Sequence, residues 1–134
     1  MSLIVDSSVW IDGFNPKITN PKKEALKQLI QDDYPIFLCP IIYQEILQGV
    51  REEKIFEQIK IVLQQYRMIN IDIMFVTNKA IDLYRHLLKK GITIKKSVDC
   101  LIASYAIITD IPILHNDGDF TLIAKESKLR ISYT

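Results

Sequence analysis

Hydrophobic and polar positions divide the chain into short apolar runs and longer stretches with apolar residues on one helical face. The first run, "LIV" at residues 3–5, predicts a buried strand that ends at Asp6. Ser8 is predicted to cap a short helix that ends near Phe14. Asn20 and Pro21 are typical of a helix start, with Asn20 as the cap and Pro21 as the first helical residue.

The alternation of strands and helices continues through the rest of the chain. Three further strands are predicted at "PIFLCP", "MINI" and "IPILHN", and a final one at "RISYT". Five further segments have helical spacing of their apolar residues. They are a segment that begins near Pro40, three that run from Glu52 to Gln65, from Met74 to Lys90 and from Ser97 to Ile108, and the short segment "FTLIAKES".

This order of elements predicts one α/β domain over residues 1–134. We expect a three-layer α/β/α sandwich with a mostly parallel central sheet, because parallel strands need helical crossovers that cover both faces. Such sheets bind ligands at the carboxyl ends of their strands, where the strand order reverses. Asp6 follows the first predicted strand, and Asp117 and Asp119 of "HNDGD" follow the fourth.

Composition excludes little beyond membrane and secretory classes. Seventeen basic and 16 acidic residues give a formal net charge of +1, so a nucleic-acid partner would require a local basic patch. Cys39 and Cys100 have no metal-binding spacing, and we expect two buried, reduced thiols. No apolar run approaches membrane length and the N-terminus lacks a charged lead-in, so we expect a cytoplasmic protein with no membrane contact.

Several acidic residues occupy positions that solvation alone does not explain. Glu45 shares a helical stripe with Ile41 and Ile42, and Asp99 shares one with Ile102. Each has an ordinary alternative: Glu45 at the stripe edge could reach water, and an aspartate in a first turn interacts favourably with the helix dipole. The strand-end aspartates are also common turn and cap residues.

The hypothesis of a functional site depends on these acids as a set. Four carboxylates in one crevice would repel one another and require a compensating positive charge. No lysine stands at motif spacing and cysteine and histidine ligands are lacking, whereas carboxylate oxygens suit one or two Mg²⁺ or Mn²⁺ ions. The predicted ligands are Asp6, Glu45, Asp99, Asp117 and Asp119.

Four segments in this order resemble the PIN domain family, specifically the VapC-type ribonuclease toxins of prokaryotic toxin–antitoxin pairs. They are "IVDSSVWI", "YQEILQG", "KKSVDCLIASYAI" and "ILHNDGDFTLIA", and the resemblance covers nearly the whole chain. It implies a metal-dependent endoribonuclease with Mg²⁺ or Mn²⁺ as cofactor, an RNA substrate, a cognate antitoxin and a homodimer.

The resemblance also implies roles for individual residues. The family's first three acids map onto Asp6, Glu45 and Asp99, and the fourth onto Asp117 or Asp119. Asp117 is favoured because it comes sooner after the strand, and Asp119 would then orient Asn116 or the loop. The family's hydroxyl residue maps onto Ser8, which could hold a phosphate or a metal water, and water would attack the RNA phosphodiester in line. The general base stays open, with Glu45 as one candidate.

A basic segment next to the third acid is the predicted RNA contact. "YRHLLKKGITIKK" supplies Arg85, Lys90, Lys95 and Lys96, and the last two directly precede the helix that carries Asp99. The alternative interpretation is a solvated, lysine-rich helix end.

Other functional classes fit the sequence less well. A receiver domain needs an acidic pair after the first strand, and a haloacid-type phosphatase needs two aspartates there that are separated by a single residue. This chain has Asp6-Ser7-Ser8 at that place. The main alternative is a PIN-fold binding module that acts through protein partners without catalysis. Metal-dependent RNA cleavage separates the two.

Overall fold

Four short strands form one parallel sheet in the order β3-β2-β1-β4. The computed structural model describes residues 1–132. Ile4 of the central strand lies opposite Phe37 on one side and Ile113 on the other. The strand order therefore reverses between β1 and β4. The strands are β1 (Leu3–Val5), β2 (Ile36–Leu38), β3 (Arg67–Met68) and β4 (Ile113–Leu114).

Seven helices within the described residues connect and cover the strands. Helix α1 packs on α2 and α3, and α5 packs on α6. The connections from β1 to β2 and from β2 to β3 proceed in one direction along the sheet, and the connection from β3 to β4 returns in the opposite direction. Because connections between parallel strands are right-handed, α1–α4 lie on one face of the sheet and α5–α6 on the other. The helices are α1 (Ser7–Phe14), α2 (Pro21–Gln31), α3 (Pro40–Gln48), α4 (Glu53–Leu63), α5 (Ile73–Lys89), α6 (Val98–Thr109) and α7 (Gly118–Lys125).

Burial on both faces explains why the strands are almost purely apolar. The side chains of β1 and β4 are buried, and the large side chains of Trp10 and Phe120 fill the space between sheet and helices. β3 is the exception, because Arg67 and Met68 lie exposed at the sheet edge. The predicted α/β/α arrangement is thus confirmed. Within residues 1–132, no helix is long and apolar enough to cross a membrane.

The predicted cap of the first helix was wrong. α1 begins two residues earlier than expected, and its N-cap is Asp6, whose side chain accepts a hydrogen bond from the Ser8 backbone amide. Asp6 has extended backbone angles and caps as well as serine does, so the helix starts directly at the strand end. Ser97 occupies the N-cap of α6, but its hydroxyl makes no capping hydrogen bond within the described chain.

Two predicted strands also differ from the structure. The third strand shares only Met68 with the predicted "MINI". The neighbouring strand β2 has only three residues with which it can pair, and the amide of Ile69 adds one further backbone hydrogen bond, to the carbonyl of Leu38 (2.7 Å). Of the predicted final strand "RISYT", Ile131 makes a single parallel bridge to Ile113. The last two residues of that segment, Tyr133 and Thr134, lie outside the described residues.

Candidate active site

The crevice at the carboxyl ends of β1 and β4 is lined by Asp6. Its backbone amide donates to the carbonyl of Leu114 (2.9 Å), which holds the two strand ends side by side. The Asp6 carboxylate is 3% exposed, and its Oδ2 accepts from the Ser8 hydroxyl (2.6 Å) and amide (3.2 Å). The other oxygen, Oδ1, is buried and has no hydrogen-bond partner among residues 1–132. Asp6 therefore combines a helix cap with one free, buried ligand atom.

Three further aspartates lie close to one another beside Asp6. Asp99 lies in the first turn of α6, Asp117 caps α7, and Asp119 lies in the first turn of α7. One ligand atom from each lies within 4.8 Å of the other two. Asp99 and Asp119 are buried, and Asp117 is more open. The structure thus brings together both acids of the "NDGD" segment and the α6 aspartate.

Asp117 and Asp119 have different partners. Asp119 accepts from the backbone amides of Lys95 (3.4 Å) and Lys96 (3.1 Å), and so fixes the loop that leads into α6. Asp117 accepts from the amide of Asp119 (3.0 Å) and pairs with the Lys96 ammonium (3.0 Å). Asn116 contacts Ser8 (3.2 Å) and Asp12 (3.4 Å). Asp119 thus contacts the loop before α6, a partner that the sequence did not indicate.

Burial and mutual repulsion disfavour full ionisation of this cluster. Burial raises the pKa of Asp99 to about 8, and the hydrogen bond with Asp119 and the charges of Asp117 and Asp6 add to the increase. Burial also raises the pKa of Asp6, against its hydrogen bonds with Ser8. For Asp117 burial acts in the same direction, but the Asp119 amide and Lys96 outweigh it and lower the pKa.

The free atoms of the cluster fit a divalent cation. Asp99 Oδ2, like Asp6 Oδ1, is buried without a hydrogen-bond partner within the described part of the chain. Buried polar atoms without partners are rare, and an ion supplies both the missing contact and the missing positive charge. Hard carboxylate oxygens are the ligands of Mg²⁺ and Mn²⁺. The residues present therefore suit such an ion.

Glu45 lies at the edge of the crevice, outside the group of three aspartates. Its Oε1 accepts from the hydroxyl of Ser7 (2.9 Å), which links α3 to the start of α1. Burial raises the pKa of the Cys39 thiol to about 12, with smaller contributions from Asp6 and Glu45, so both acids lie near the start of α3. The sequence did not separate Ser7 from Ser8, since adjacent serines give no signal of which one faces Glu45.

The predicted basic residues lie on the α5–α6 side. Lys96 contacts Asp117 directly, whereas the side chain of Lys95 is exposed. Arg85 lines an open groove of about 380 Å³ beside the start of α6. Lys90 is exposed at the C-cap of α5. Of these four residues, Lys96 thus contacts an acid of the crevice, and Arg85 lies beside the helix that carries Asp99.

Lys22 is a basic residue that sequence reasoning missed. His115 is buried beside the crevice, and its Nδ1 accepts from the Asp117 amide (3.1 Å). Burial lowers the pKa of His115, and the charge of Lys22 lowers it further, so Lys22 lies within electrostatic range of His115. A lysine in the first turn of a helix is too common to stand out in the sequence.

Comparison with known proteins defines the class. Residues 3–126 match the PIN domain, and the chain belongs to that family. It is 27% identical over 128 residues to Ribonuclease VapC11 of Mycobacterium tuberculosis, a match that covers 96% of both chains. The predicted family is confirmed.

Solved structures share the fold. VapBC2 from Rickettsia felis, bound to a DNA fragment from its promoter, superposes with a TM-score of 0.75 at 20% identity, over 98% of both chains. VapBC-5 from Mycobacterium tuberculosis, of the VapBC family of toxin–antitoxin systems, has a TM-score of 0.65 at 19% identity, over 97% of this chain and 96% of the other.

Proposed function

We propose that this protein is a metal-dependent endoribonuclease and the toxin of a toxin–antitoxin pair. The observation that carries the proposal is the buried acidic cluster at the point where strand order reverses, in which Asp6 Oδ1 and Asp99 Oδ2 have no hydrogen-bond partner among the described residues 1–132. Membership of the PIN family and the ribonuclease named VapC11 support the same activity. A cytoplasmic location is part of the proposal, because the RNA and an antitoxin would meet the protein there.

The acids divide into ion ligands and supporting groups. Asp6, Asp99 and Asp117 would hold the ion, with Asp119 as a further ligand or as the support of the loop before α6. When bound, Mg²⁺ or Mn²⁺ lowers the pKa of water and offsets charge on the phosphate. Glu45 stands apart from the group of three aspartates and is oriented by Ser7, so we assign it as the candidate general base.

Substrate binding must overcome the negative charge of the crevice. Arg85, Lys90, Lys95 and Lys96 on one side and Lys22 on the other would bind phosphates that flank the cut. Ser8 already donates its hydroxyl to Asp6, and so its first role is to hold that carboxylate. Contact between Ser8 and a phosphate or a water remains a proposal.

Cleavage of single-stranded RNA with and without Mg²⁺ or Mn²⁺ tests this function. We expect Asp6→Asn and Asp99→Asn each to lower the cleavage rate by about 100-fold or more, because both remove an ion ligand. Asp82→Asn, an exposed aspartate of α5, is the matched control and should keep full activity. Unchanged metal-dependent cleavage by both site variants would refute the assignment. A wild-type protein that cuts no RNA with any metal would favour the binding-module alternative.

An apolar groove between α1, α2 and α4 is the surface we propose for the antitoxin. A cavity of about 600 Å³ is lined by residues that include Trp10, Phe14, Ile30 and Ile55, with Lys27 beside them. Ile30 and Ile55 are 42% and 39% exposed, and the buried Trp10 Nε1 has no partner among residues 1–132. Contiguous exposed apolar surface marks protein interfaces. The VapBC neighbours support an antitoxin as the partner of the chain, and the exposed apolar lining supports this groove as its surface.

The homodimer expected from the family resemblance also has a candidate surface. Met74, Ile81 and Leu88 of α5 are 59%, 50% and 47% exposed and follow one another at intervals of seven residues. Such a stripe suits packing against the same helix of a second copy in a two-fold dimer. We propose this stripe as the dimer contact.

Expression in a bacterial host tests the toxin role separately from the chemistry. We expect growth arrest on induction and relief when the cognate antitoxin is produced as well. Growth without cost, in cells that contain active protein, would contradict a toxin role while leaving the nuclease assignment intact.

A further inference from the structure

Lys96 makes an ion pair with one of the proposed metal ligands. Its Nζ lies 3.0 Å from Asp117 Oδ2, while the lysine side chain is 61% exposed and that of Asp117 only 17%. Within residues 1–132 the other ion pair, between Arg130 and Asp110, lies away from the strand switch point. Lys96 is therefore the direct cationic partner of the acidic cluster in the described chain.

The ammonium group responds to the whole cluster. Its hydrogen bond with Asp117 raises the pKa of Lys96 despite partial burial, and the charges of Asp117, Asp99 and Asp6 act in the same direction. The Lys96 ammonium is thus attracted by three acids at once, as expected of a cation that compensates part of the negative charge of the cluster.

The backbone of Lys96 is held by Asp119, whereas its side chain is largely exposed. The backbone amide donates to the buried Asp119 (3.1 Å), as does the amide of Lys95 (3.4 Å). A long, largely exposed lysine side chain on a fixed backbone can change partners without movement of the loop. The ammonium can thus leave Asp117 while Asp119 and α6 stay in place.

We propose that Lys96 is a tethered cation that neutralises Asp117 until a divalent ion binds, and that it then moves to a phosphate of the RNA. This inference rests on the proposed function. The ion and the ammonium compete for the same carboxylate oxygen, and their like charges repel. Ion binding therefore breaks the Lys96–Asp117 pair and frees a positive charge for the substrate at the edge of the crevice. It follows that metal affinity is weaker than the acids alone would give.

Titration of chelator-treated full-length protein with Mn²⁺ tests the competition. We expect Lys96→Met to lower the Kd for Mn²⁺ by about 5- to 10-fold, as removal of one charge–charge contact near the surface predicts. Lys95→Met is the matched control, because it removes the same charge from an exposed neighbour and keeps the backbone bond to Asp119. Its Kd should stay within about 2-fold of wild type.

Chemical labelling of lysines tests the release. In reductive methylation read by mass spectrometry, Mn²⁺ should increase the labelling rate of Lys96 and leave that of Lys95 unchanged. Addition of a single-stranded RNA oligonucleotide, in pulses shorter than its cleavage, should protect Lys96 again. A labelling rate of Lys96 that does not rise with Mn²⁺ would overturn the release, and lack of protection by RNA would overturn the transfer to phosphate.

The outcomes separate this inference from the proposed function. Equal or weaker Mn²⁺ binding by folded Lys96→Met protein, together with metal-dependent cleavage by wild type, overturns only the role of Lys96. A wild-type protein that binds no Mn²⁺ and cuts no RNA overturns both.

Discussion

Asp99 is expected to oppose folding of the metal-free protein although the proposed activity requires it. Its carboxyl is 3% exposed, lies beside Asp117 and Asp119, and has a pKa of about 8 in the folded chain, with burial as the main cause. The ordinary aspartate pKa of 3.8 applies to the unfolded chain. Because the folded-state pKa is raised, this group has no effect on the free energy of unfolding below about pH 4. It lowers that free energy increasingly as the pH rises toward 8.

The magnitude follows from the difference between the two pKa values. At about 1.4 kcal/mol per pH unit, ionisation of Asp99 opposes folding by an upper limit of roughly 6 kcal/mol above pH 8. Relaxation and entry of water at the open side of the crevice reduce this cost. We expect Asp99→Asn to raise the free energy of unfolding by about 1–3 kcal/mol at pH 8. The amide introduced at this position should also donate a hydrogen bond to Asp119, in place of the hydrogen bond that joins the two carboxyl groups.

Urea unfolding in the presence of a chelator, at several values between pH 5 and pH 8.5, measures this effect. The gain of Asp99→Asn over wild type should grow with pH across this range, and Asp82→Asn, the exposed control, should show no such trend. Addition of Mn²⁺ should stabilise wild type and not Asp99→Asn. Destabilisation by Asp99→Asn at every pH, or a gain that does not change with pH, would refute the assignment of a buried, repelled carboxyl.

Four further substitutions have expected outcomes. Gly91→Ala should lower the free energy of unfolding by about 1 kcal/mol in urea titrations, because Gly91 has φ +76° in otherwise open space, whereas Gly118→Ala, without positive φ, should lose nothing. Ser8→Ala should cost about 1–2 kcal/mol in the same assay, since it removes the hydroxyl bonded to the strand-end carboxylate. Ile81→Asp should give a monomer in sedimentation without loss of fold, and a dimer that persists would exclude α5 as the contact. Ile55→Asp should abolish co-purification with the antitoxin, and a complex that survives would exclude the groove.

Elements with local signals were predictable from the sequence. β1 is a continuous apolar run, and α2 begins where Asn20 and Pro21 both favour a helix start. β3 was not placed correctly, because its exposed residues, Arg67 and Met68, lack the apolar pattern on which strand prediction depends. Its position is determined by pairing with β2, which is a long-range effect.

The same distinction applies to the site. Asp6 and Asp117 were identifiable because parallel strands deliver their following residues to one edge of the sheet. The Ser7–Glu45 bond and the Lys96–Asp117 pair join residues 38 and 21 positions apart, and both depend on side-chain directions that no local pattern contains. Sequence reasoning therefore found the acids, and it also singled out Ser8 and Lys96, but it did not predict which carboxylate each of these groups contacts.

The position of β4 beside β1 has a consequence for synthesis of the protein. The first strand of the chain lacks one of its two neighbours until residues 113–114 are available, and Asp117 and Asp119 follow only after that strand. A ribosome-bound chain that has not yet exposed this segment cannot assemble the acidic cluster, however well its earlier helices have formed. Cleavage activity would therefore appear late during translation, after the residues of the groove proposed for the antitoxin have been made.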